Sequence, residues 1–150
     1  MALVNLFGAQ VESRVALLMI GEIVIGVLLV LAFLLAARHK GRYHHYMILS
    51  AFLADELLMK PLMYQRLALG VFGSFPYSGT VGLPHVLLAV SCSVLGALTV
   101  ILGFWFRVKK EKQMFMPPKG RIHKVIGALY LISWFATMLY GVRIFVLFYL

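Results

Sequence analysis

Five histidines and one short run of ionisable residues carry most of the chemistry available to this 150-residue chain. His39, His44, His45 and His123 stand beside basic residues at the borders of long apolar stretches, and His85 directly follows Pro84. Neutral imidazole is the commonest protein ligand for metals and a standard ligand for haem iron. A histidine at the start of one helix, His44 or His45, and His123 at the start of another at matching depth are what a bis-histidine haem between facing helices requires. The same residues also read as interfacial histidines snorkelling among Arg and Lys. Haem b is the expected cofactor, with copper or another metal ion as the alternative. Met59 and Met63 lie four residues apart, and thioethers suit Cu(I), although methionine is also ordinary packing material in an apolar chain.

A second polar group comprises Glu22, Asp55, Glu56, Lys60 and Arg143, with His85 beside it as a ligand or proton-handling residue for a second site. An ionised side chain inside a bilayer costs roughly 2.5–3.5 kcal/mol on the insertion scale, so each needs a partner or a task. Glu56 and Lys60 are four apart and form an expected ion pair. Asp55, turned about 100° from Glu56, has no expected partner in its own helix. Glu22 or Arg143 would have to approach it from other helices, Arg143 being the natural counter-ion. Pro61 removes a backbone donor and predicts a kink close by.

These residues are embedded in a chain that is 63% hydrophobic, with a mean hydropathy of +0.96. Soluble domains run to about half apolar. A hydrocarbon core about 30 Å thick needs about 20 helical residues per crossing, which predicts four spans at about 13–37, 43–67, 83–106 and 122–148. The first is too long for a signal peptide and is read as retained. Of the 14 Lys and Arg residues, Arg38, Lys40 and Arg42 fall in the first connection. Arg107, Lys109, Lys110, Lys112, Lys119, Arg121 and Lys124 fall in or around the third. This placement accounts for the net charge of +9 as a membrane topology signal, so no nucleic-acid partner is expected.

The expectation is one transmembrane domain over residues 1–150: an all-α integral membrane four-helix bundle, up-down-up-down, with basic loops cytoplasmic and both termini extracytoplasmic. Ser93, Gly96, Ala97 and Gly103 form a small-residue stripe on helix three that lets a neighbour or a flat cofactor come close. The single cysteine, Cys92, sits in an apolar run as a packing residue. Tyr43, Tyr46, Phe104, Trp105 and Phe106 belong to an aromatic belt.

From about Tyr43 onward the chain resembles the family of small four-helix membrane proteins known as domain of unknown function 420, which includes proteins implicated in maturation of haem-copper oxidases. The resemblance rests on His44-His45-Tyr46-Met47, on Tyr77 through His85 with Leu87-Leu88-Ala89 after it, on His123 opening helix four, and on Tyr140-Gly141-Val142. Lys124 stands where the family pattern has an arginine, and the histidine at helix two is doubled. The resemblance implies that His44 or His45, His85 and His123 are the functional positions, holding haem or a metal ion.

The resulting expectation is a cell-membrane protein, surrounded by lipid, that binds haem or metal and serves respiratory electron transfer or terminal oxidase maturation beside a respiratory or oxidase complex. The alternative is a cofactor-free accessory subunit. A proton-coupled carrier using Asp55, Glu56 and Arg143 would call for repeated halves or broken helices, which the sequence does not contain. No serine or cysteine sits in a base-bearing motif, so a redox carrier, assembly factor or accessory subunit is expected ahead of an enzyme.

Overall fold

The computed structural model describes residues 3–6, 9–63, 82–106, 108–110, 113–115 and 120–149. Among the described residues, four helices carry the fold. Helix α1 is Ser13–Ala37. Helix α2 is Gly41–Ala54 and passes directly into a π-helical turn, Asp55–Met59. Helices α3 and α4 are Gly82–Phe106 and Arg121–Tyr149. Two short antiparallel hairpins add to the helical scheme expected from the sequence: β1 Leu3–Leu6 with β2 Ala9–Glu12, and β3 Val108–Lys110 with β4 Gln113–Phe115. The expected end of the second span, the Gly-rich second connection with Tyr77, and Pro117-Pro118 lie outside the described residues.

Among the described residues, three helices are long and apolar enough to cross a membrane: Ser13–Ala37, Pro84–Phe106 and Arg121–Leu147. Their outward faces carry Leu17, Ile20, Val24, Val90, Val94, Ile101, Val125, Ile132 and Leu139, all exposed. Large apolar side chains in such numbers on the outside suit lipid rather than water. The second helix, expected as a fourth crossing, is not in that set. Its α-helical part is 14 residues long before the π turn begins, and Asp55, Glu56 and Lys60 follow immediately.

Helix α1 packs mainly on α2, and α3 on α4. The α1–α2 reversal is tight because the chain turns at His39, which has φ 58°. The His39 N–H reaches Ala36 O (3.1 Å) and the Lys40 N–H reaches Leu35 O (2.8 Å), a Schellman ending with histidine where glycine is usual. The core is built from Ile25, Leu29, Ala32, Ile48, Ala51, Met59, Cys92, Tyr130 and Trp134. Cys92 thus packs as its position predicts.

The small-residue stripe on α3 acts as expected. A methyl group on Gly96 would meet Phe52 and Tyr130 at 2.7–2.9 Å, so these rings seat directly on the helix backbone. About two turns further, Gly103 makes the same room for two histidines.

Candidate functional site

At the end of the helices where α1 turns into α2, His44, His45 and His123 converge. Ring centroids are 5.3 Å apart for His44–His45 and 6.3 Å for both His44–His123 and His45–His123. The His44 Nδ1–H donates to the Ala32 carbonyl at 2.8 Å, and the His123 Nδ1–H donates to the Thr99 carbonyl at 3.1 Å. Both carbonyls belong to helix backbones, where they offer only lone pairs, so in each neutral ring the hydrogen sits on Nδ1 and the bare lone pair on Nε2. Metal-ligating histidines are commonly oriented by this kind of bond from the second nitrogen.

Gly103 makes the His123 contact possible. Thr99 and Gly103 are one turn apart, so a side chain at 103 would crowd the carbonyl that His123 uses. A methyl group built there would lie 3.0 Å from His123 Cε1 and 3.3 Å from His45 Cε1. His45 also stacks on Phe104, with centroids 6.1 Å apart.

The three histidines border a cavity of about 570 Å³, walled by Leu29, Ile48, Leu131 and other apolar groups, within the size range of small-molecule and cofactor pockets. Tyr130 lies in its wall, 1% exposed, and its enclosed hydroxyl has no hydrogen-bond partner. An orphaned buried hydroxyl is rare enough to call for an explanation, a ligand being one. Among the described residues no three His, Cys, Asp or Glu side chains are grouped to hold a metal ion. His44 and His123, with ring centres 6.3 Å apart and each anchored through Nδ1, are the residues that would hold a haem iron beside this cavity.

The second polar group surrounds another cavity, of about 400 Å³, toward the other end of the helices. Glu22, Asp55, Lys60 and His85 all line it. Here the structure corrects the expected pairing. Lys60 bonds Glu56, as four-residue spacing predicts, but it also lies 3.1 Å from Asp55 and donates to Ser93 Oγ at 2.6 Å. Residues five apart on an α-helix diverge by roughly 140°. The π turn, in which the Lys60 N–H bonds the Asp55 carbonyl, changes that angle and lets one ammonium serve both carboxylates. Asp55 is therefore partnered within its own helix, and Arg143, the counter-ion expected from helix four, is exposed.

Met59 is buried against Gly21 and also lines the 400 Å³ cavity together with Met63. Tyr43, Tyr46 and Trp105 are exposed near the histidine end, where an aromatic belt would place them. The Tyr130 hydroxyl and the Ala32 and Thr99 carbonyls have no signature in the sequence. Only their spacing of two turns from His123 and one turn from Gly103, once the helix register was known, would have pointed to them.

Comparison of the chain with protein-family models, with curated proteins and with solved structures returns no match.

Proposed function

We propose that this chain is a membrane-embedded haem-binding protein in which His44 and His123 would hold the iron, serving respiratory electron transfer or terminal oxidase maturation. The observation that carries the reading is the matched anchoring of these two rings. Each gives its Nδ1–H to a helix carbonyl, each keeps Nε2 as a lone pair, and their centres are 6.3 Å apart beside an apolar cavity. On helix α2 His44 is the ring bonded to Ala32, and His45 stacks on Phe104 beside it.

Bound there, haem supplies one-electron transfer. The chain's own groups fix the imidazoles and exclude water with Leu29, Ile48 and Leu131. The reading includes an up-down-up-down bundle in the cell membrane, with the basic connections on the cytoplasmic side and the termini opposite, as the distribution of Lys and Arg favours. The resemblance to the oxidase-maturation family supports a respiratory or oxidase complex as partner.

A reduced-minus-oxidised absorption spectrum of gently solubilised protein tests the reading. Sharp haem bands that survive His45→Ala and disappear with His44→Ala and His123→Ala are expected. Wild-type protein that folds and carries no Soret band would refute it, leaving the cofactor-free accessory subunit.

A further inference from the structure

The 400 Å³ cavity at the Glu22–Asp55–His85 end has a distribution of hydrogen-bonding groups that the haem reading does not use. Its ammonium donor is fully engaged: Lys60 has three N–H groups and three partners, Asp55, Glu56 and Ser93. The Thr137 hydroxyl donates to the Ser133 carbonyl at 2.8 Å. What faces the cavity from its charged and titratable groups is acceptor capacity. At one end are the carboxyl oxygens of Asp55 and Glu22. At the other is His85, whose Nδ1 is enclosed without a partner. In the tautomer that carries its hydrogen on Nε2, Nδ1 is a lone pair waiting for a donor.

Lys60 meets Ser93 on α3, and His85 is eight residues from Ser93 on the same helix, or about 12 Å along its axis. A six-membered ring with hydroxyls at opposite corners, together with a hydrogen bond of about 2.8 Å at each end, spans roughly 11 Å. Between the ends the wall is apolar, with Ala89, Trp134 and Phe145 offering surface for a flat ring.

We propose that this cavity binds the two-hydroxyl aromatic headgroup of a membrane-soluble quinol, one hydroxyl donating to His85 Nδ1 and the other to the Asp55–Glu22 carboxyl group. The site selects the reduced form. A quinone presents carbonyls, which are acceptors, to a cavity already supplied with acceptors, and its binding leaves both ends unsatisfied. The proposal stands independently of any haem at the histidine end.

The test is a titration of the full chain in nanodiscs with a short-alkyl-chain benzoquinol under anaerobic conditions, read by quenching of Trp134 fluorescence in a Trp105→Phe background. Three ligands are compared: the quinol, its quinone, and the quinol with both hydroxyls methylated. Quinol binding at least ten-fold tighter than that of either other ligand is expected. His85→Phe, which keeps a ring and removes the acceptor, weakens quinol at least ten-fold and leaves the dimethyl ether unchanged. His123→Ala leaves all three affinities unchanged, which separates this site from the haem site. Equal affinity for quinol and dimethyl ether, wild-type affinity in His85→Phe, or no saturable quinol binding by folded wild-type protein would each overturn the proposal.

Discussion

Gly103→Ala is a single-methyl probe of the histidine site. The added carbon would lie 3.0 Å from His123 Cε1, 3.3 Å from His45 Cε1 and 3.4 Å from His45 Nδ1. Carbon atoms are in comfortable contact at about 3.5–4.0 Å, so His123 must retreat by at least about 0.5 Å. Its bond to the Thr99 carbonyl is 3.1 Å long; a retreat of about 0.5 Å takes it to about 3.6 Å, beyond a hydrogen bond. The loss costs about 1–3 kcal/mol, because the Nδ1–H is left buried and unsatisfied. Alanine returns about 0.5–1 kcal/mol through helix propensity. The net effect on stability is thus a loss of about 0–2.5 kcal/mol, while haem affinity falls about 10–100-fold, as when an orienting partner of a ligand is removed. Gly127→Ala is the control, since its methyl group would meet Thr99 Cγ2 at an ordinary 3.5 Å. The assay is haem stoichiometry by absorbance after purification at limiting haem, with a detergent melting curve alongside. Full haem occupancy in Gly103→Ala, or equal loss in Gly127→Ala, would refute the reasoning.

Other substitutions separate packing from chemistry. His39→Gly relieves a left-handed backbone and raises stability by about 1 kcal/mol in a chemical unfolding titration, with the haem spectrum unchanged. Lys60→Met leaves Asp55, 3% exposed, without its partner and destabilises by about 3–5 kcal/mol, whereas Arg143→Gln at its exposed position stays within about 0.5 kcal/mol by the same titration. Tyr130→Phe removes a buried hydroxyl that has no protein partner, so the protein keeps its melting temperature to within about 1 kcal/mol of stability in a detergent melting curve.

The apolar spans were legible because hydrophobic length is read directly in a bilayer-sized window, and α1 is helical over Ser13–Ala37, the expected span. The histidine convergence was legible in outline, since His44, His45 and His123 each open a helix next to a basic connection. Which histidine on α2 points to which carbonyl was not, because two adjacent residues differ by only about 100° and the register between helices is set by close packing. Gly103 illustrates the point: its place in a small-residue stripe was visible, but that it admits rings from two other helices depends on their rotation.

Helix two holds the largest departure, and its cause is local. Pro61 has no N–H, so the Leu57 carbonyl loses the partner that a regular helix would supply. The chain answers one residue earlier by a five-residue turn closed by the Lys60 N–H on the Asp55 carbonyl. A helix-wheel argument applied with 3.6 residues per turn separates Asp55 from Lys60 and forces a search for a counter-ion on another helix. With the π turn, Lys60 answers Asp55, Glu56 and Ser93 together. The ammonium is thereby occupied within the bundle, and the remaining acceptors at that end are turned toward the cavity they share with His85.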